Sequence, residues 1–150
     1  MKMKILARQL TIDFYNCNSE KLDDIDKIKA VIEEIVGSKA DLQATVISNG
    51  HISIIGAFED GHIAIHVYSE LGYVAVDVFT CSEDSEPELL SKELRKFFQP
   101  DKIKSTFLKR GDFGLEREIK PKIKTRLAPL RKIHNTGAKV IKTLARRNSK

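Results

Sequence analysis

The sequence predicts an α+β fold: a two-layer sandwich of one antiparallel sheet with both helices on one of its faces. Three observations predict it. Apolar residues recur every three or four positions in two segments, they alternate with polar residues in most of the others, and Asn49-Gly50 marks a tight turn between two alternating runs. The segments follow the order strand, helix, several strands, helix, strand, which suits an antiparallel sheet with its helices segregated to one side.

Residues 6–15 contain the alternation Leu10, Ile12, Phe14, a strand with one buried face. Asn18-Ser19 then supplies a helix cap, Leu22, Ile25, Ile28, Ile32 and Ile35 form an apolar stripe, and Gly37 closes the run, so a helix is expected over 19–36. Residues 45–47 and 51–58 read as strands on either side of Asn49-Gly50, with further strands at 62–68 and 73–81. Ser85 and Glu88 have the spacing of a capping box, Pro87 suits a first helical turn, and Leu90, Leu94 and Phe97 give the stripe of a helix over 86–98 that Gln99-Pro100 stops. A last strand at 103–108 precedes the turn Arg110-Gly111-Asp112.

Alternation also sorts the central side chains between two faces. Ile63, Ile65, Val67, Val74, Val76 and Val78 share one, suited to packing beneath the helices. His62, Ala64, His66, Tyr68, Tyr73, Ala75, Asp77, Phe79 and Cys81 share the other, too aromatic to be simply solvated and too polar to be simply core. A face of that kind meets a ligand, a second sheet or a partner subunit.

Composition narrows the function classes. The chain has 150 residues, 41% hydrophobic and 31% charged, enough for one core, with no apolar run approaching the roughly 18 residues of a membrane helix. Residues 1–16 lack a continuous apolar stretch and a cleavage site, and the two cysteines, Cys17 and Cys81, belong to no CxxC pair, so a reduced, cytoplasmic protein without a disulfide framework is expected. Residues 119–150 carry eleven of the 26 basic residues and none of the 21 acidic ones, leaving residues 1–118 at −6 against a tail at +11. The division expected is a folded domain, 1–118, and a basic C-terminal tail, 119–150, partly disordered or with a short amphipathic helix over 138–147. Nucleic acid, an anionic membrane or an acidic protein would each suit the tail electrostatically.

The stretch DGHIAIHVYSELGYVAVDVFTC, residues 60–81, resembles the motif of the prokaryotic S-adenosylmethionine decarboxylases, self-processing pyruvoyl-dependent enzymes of spermidine synthesis. The matching positions are His62, His66, Glu70, Gly72, Tyr73, Ala75, Asp77, Phe79, Thr80 and Cys81, and the segments ARQLTIDFYNCN and KSTFLKRGD resemble the family's first and last strands. The resemblance implies an αββα dimer, built by packing the mixed faces of two sheets together. It also implies a chemistry: a serine attacks the carbonyl before it, the ester eliminates, and the resulting pyruvoyl group serves as the electron sink for decarboxylation.

Here the serine position falls on Gly61 and the preceding glutamate on Asp60. Glycine supplies neither the attacking oxygen nor a β-carbon, and residues 55–66 hold no serine, threonine or cysteine to replace it. No cleavage and no pyruvoyl cofactor are therefore expected. The resemblance assigns the catalytic proton donor to Cys81, processing roles to His66 and Ser53, and ribose binding to Glu70 with His66 beside it. Val67, Tyr68-Ser69, Ile47 and Gln9 depart from the family pattern. His62, His66 and Cys81 lack the fourth ligand of a closed zinc site, and no metal is expected.

The function this implies is that of a catalytically silent family member acting by binding an S-adenosylmethionine-like ligand or a partner, as a homodimer or with a decarboxylase paralogue. An active decarboxylase with atypical processing, in which Ser53 is the nearby candidate, and an adaptor working through the basic tail are the alternatives.

Overall fold

The computed structural model describes residues 7–37, 40–111 and 120–128. Seven strands, β1 (Ala7–Tyr15), β2 (Asp41–Ser48), β3 (His51–Phe58), β4 (Gly61–Tyr68), β5 (Tyr73–Cys81), β6 (Lys102–Arg110) and β7 (Lys122–Leu127), form one sheet in the order β2-β3-β4-β5-β1-β6-β7. Every neighbouring pair is antiparallel. Helices α1 (Ile25–Val36) and α2 (Pro87–Phe98) pack on one face, which gives the α+β sandwich expected from the periodicities.

The core lies between helices and sheet. Phe14, Ile54, Ile63, Ile65, Val67 and Val74 on the strands are fully buried against Ile28, Ile32, Leu94 and Phe98 on the helices. Each such side chain contributes about 1.5–3 kcal/mol relative to exposure. Phe14 and Phe98 meet at 5.9 Å between ring centroids, joining β1 to the end of α2.

The ends of the helices depart from the sequence reading. Asn18 caps a short 3-10 turn, Ser19–Lys21, by accepting from the Glu20 N–H, and α1 starts only at Ile25, where Asp24 Oδ1 accepts from the Lys27 N–H at 3.1 Å. The apolar stripe continues through Leu22, so spacing alone merges the two pieces into one helix. The capping box at Ser85 does not form. Glu86 occupies the cap position without a side-chain bond, because Ser85 Oγ donates instead to the Ser82 carbonyl at 2.9 Å and the Ser85 carbonyl accepts from Arg8 Nη2. A long-range arginine on β1 thus takes over the segment that local sequence assigns to a cap.

The basic tail also differs from expectation. Residues 122–127 pair with β6 as a seventh strand, the outermost on that side, so the sheet extends into the segment read as lying outside the fold. The amphipathic helix expected over 138–147 lies outside the described residues.

Candidate functional site

The sheet face away from the helices carries the candidate residues, and register places them in rows. One row runs Lys102, Tyr15, Tyr73, Tyr68, His51 across β6, β1, β5, β4 and β3. Lys102 Nζ sits 5.3 Å from the Tyr15 centroid, Tyr15 and Tyr73 are 5.5 Å apart, Tyr73 and Tyr68 5.9 Å, and Tyr68 stacks on His51 at 4.3 Å. The rings pack on one another in tilted and stacked pairs, so the row is a continuous aromatic strip with polar tips, and one of these, the Tyr73 hydroxyl, is tied to Asp13.

The next row contains Lys104, Asp13, Ala75, His66 and Ser53. Ser53 is 7% exposed and directly opposite His66, and His66 Nδ1 lies 3.3 Å from His51 Nε2. Glu70, in the turn between β4 and β5, packs over Gly50, whose φ of +77° permits the turn into β3. Ser53, His66 and Glu70 are therefore gathered at one end of the sheet, together with His51. The sequence reading did not single out His51; the Asn49-Gly50 hairpin, counted by twos onto the same face as Ser53, is the signal that could have found it.

Cys81 and Gly61 lie at the opposite end. Five residues of extended chain, roughly 17 Å, separate Gly61 from His66 on β4. Cys81 is exposed and reduced, and its N–H donates to the Asp60 carbonyl at 2.7 Å. Phe79 lies between His62, stacked at 5.4 Å, and Arg110, 5.1 Å from its ring centroid, and Arg110 Nη1 donates to Gln9 at 2.9 Å. Within one chain the expected site residues thus form two groups on a common face. Among the described residues no three His, Cys, Asp or Glu side chains are placed to hold a metal ion, and no helix is long and apolar enough to cross a membrane.

Gly61 itself is tightly enclosed. It pairs with Thr80, and a β-carbon placed on it would overlap the carbonyl oxygen of Phe79 while lying 2.8 Å from that carbonyl's carbon and 3.0 Å from the Thr80 Cα. All three are backbone atoms, which cannot swing aside as a side chain does. A side chain at position 61 therefore requires the β4 and β5 backbones to shift apart.

One titration follows from the aromatic row. The Tyr73 hydroxyl donates to Asp13 Oδ1, and burial, that hydrogen bond and the nearby carboxylate all raise the Tyr73 pKa strongly. A raised phenol pKa favours the folded state fully below the unfolded value of about 10, and that contribution is lost as pH rises above it. Tyr73→Phe is expected to flatten the alkaline fall of stability, measured as urea midpoints on either side of pH ~10. An unchanged alkaline slope in the variant would assign the fall to other groups.

A seven-stranded antiparallel sheet with helices on one side and a histidine, tyrosine and cysteine face on the other defines a small α+β sandwich domain. The family model for S-adenosylmethionine decarboxylase matches residues 8–111. The chain is 32% identical over 132 residues to the S-adenosylmethionine decarboxylase proenzyme of Methanococcus vannielii, covering 78% of this chain and 99% of that protein. It is 34% identical over 124 residues to the corresponding proenzyme of Methanococcus maripaludis, covering 73% and 93%. The crystal structure of the adenosylmethionine decarboxylase from Aquifex aeolicus superimposes with a TM-score of 0.61 at 20% identity, over 78% of this chain and 99% of that one, a likeness of fold. The chain belongs to the S-adenosylmethionine decarboxylase family.

Proposed function

We propose that this chain is a non-self-cleaving, catalytically silent member of the S-adenosylmethionine decarboxylase family, tied to polyamine synthesis and acting by binding. Gly61 is the observation that carries the reading. It lacks the oxygen that self-processing requires, and its β-carbon position is filled by the β5 backbone. The Asp60 carbonyl, which a processing serine would attack, is held in the ladder by the Cys81 N–H. The open face, with its row of aromatic rings, is the binding surface, and its occupant is a second copy or a decarboxylase paralogue. Glu70 and His66 supply polar contacts for an S-adenosylmethionine-like ligand at that interface.

The test is the intact mass of the purified chain under denaturing conditions. One species at the full 17.0 kDa is the expected result. Two fragments, with the C-terminal one blocked to Edman sequencing and carrying a reactive carbonyl, would sink the proposal in favour of an active enzyme. The fragment masses would then say whether Ser53, buried in mid-ladder opposite His66, had served as the processing residue.

A further inference from the structure

Strand β7 lies beyond residues 8–111, the part of the chain that the family model matches. Its sequence, KIKTRL, alternates strictly, and register decides which way each residue points. Lys122, Lys124 and Arg126 stand opposite Phe107, Ser105 and Ile103, on the helix side of the sheet. Ile123, Thr125 and Leu127 stand opposite Thr106, Lys104 and Lys102, on the open side. Ile123 and Leu127 are 62% and 41% exposed.

The cations form a line about 13 Å long, since alternate residues of a strand are about 6.7 Å apart. Lys120 precedes the line, and Lys109 lies on the same side of β6 beyond the end of β7. All five are exposed. Among the described residues the ion pairs are Lys27–Asp24 and Lys96–Glu93, and none of these five cations pairs with a carboxylate there.

We propose that this stripe is a docking line for the phosphodiester backbone of nucleic acid, used without sequence preference. The proposal is independent of the reading of Gly61. Charges on an outermost strand also ward off edge pairing, but that role is served by cations on either face, whereas the three cations of β7 all lie on one face. A membrane surface would need exposed apolar residues to point the same way as this stripe, so that headgroups and acyl chains could be met together. Ile123 and Leu127 point to the other side of the sheet, where Lys104 and Lys102 stand beside them, and on the stripe's own side Ile103 and Phe107 pack against the core. The stripe also presents no exposed aromatic ring, which leaves phosphate contact and no base reading.

The experiment is anisotropy of a short labelled DNA duplex titrated with the full-length chain at salt concentrations from about 50 to 200 mM. The triple variant Lys122→Thr, Lys124→Thr, Arg126→Thr removes three cations and keeps strand propensity. It is expected to lower the slope of log K against log salt by about 2.7, at about 0.9 for each phosphate that is no longer neutralised. Lys124→Thr alone should lower it by about 0.9, and Lys122→Arg with Lys124→Arg should leave it unchanged, which separates charge from strand integrity. A triple-variant slope equal to that of the unaltered chain would place the binding elsewhere, in residues 129–150, and overturn the proposal. Binding to phosphatidylserine vesicles with none to the duplex would overturn it in favour of a membrane. Displacement of the duplex by polyglutamate at equal charge concentration would overturn it in favour of an acidic protein.

Discussion

Replacing Gly61 with serine is expected to destabilise the fold without restoring self-cleavage. A serine β-carbon would overlap the Phe79 carbonyl oxygen and press on the Thr80 Cα, so β4 and β5 must part at their ends to admit it. Parting breaks the 2.7 Å bond from the Cys81 N–H to the Asp60 carbonyl, worth about 0.5–1.5 kcal/mol. Overpacking adds about 1–3 kcal/mol. A combined loss of about 2–4 kcal/mol corresponds to a fall in Tm of roughly 5–12 °C for a domain of this size. Gly61→Ala should lose a similar amount, since the clash begins at the β-carbon. Thermal unfolding and intact mass read the two effects separately. A serine variant of undiminished Tm would disprove the steric account. A serine variant that cleaves itself would mean that the strand pair yields, and that the missing oxygen alone had silenced the chain.

The second large effect is expected in the core. Phe14 is fully buried on the interior strand β1, where it meets Phe98 at the C-terminal end of α2. Phe14→Ala removes the ring and leaves a cavity between sheet and helix, at a cost of about 3–5 kcal/mol. Set against the roughly 5–15 kcal/mol that holds a typical domain folded, that is enough to populate the unfolded chain at moderate temperature. Phe14→Leu should lose much less because it refills most of the volume. Denaturant midpoints at constant m-value would check both. An alanine variant within about 1 kcal/mol of the unaltered chain would show that the neighbouring side chains close the gap, and that the packing of α2 on β1 is not what holds this layer.

How far the sequence could be read depended on whether a signal was local or long-range. The alternation in residues 62–81 decided both the strands and their faces, because the pleat has a period of two whatever the rest of the chain does. Val74, Val76 and Val78 are buried, and Tyr73, Ala75 and Phe79 lie on the open face, as their spacing predicts. The absence of a hydroxyl at position 61 is likewise a matter of composition. Residue spacing could not show that Ser53, His66 and His51 lie together while Cys81 sits at the far end, since that depends on the registers of two hairpins. Nor could it show that Arg8 on β1 would engage the Ser85 carbonyl and leave α2 without its capping box.

The tail illustrates the same division from the other side. Its charge was evident from composition, yet KIKTRL has no conformation of its own until β6 offers an edge with unpaired N–H and C=O groups. Pairing with that edge turned an alternating sequence into two opposed surfaces, one basic and one apolar. By itself, then, the sequence determined the layers, the buried face, the charge asymmetry and the absence of a hydroxyl at position 61. Tertiary structure decided which side the cations take and how closely β5 approaches Gly61, because both depend on backbone pairing between segments distant in the chain.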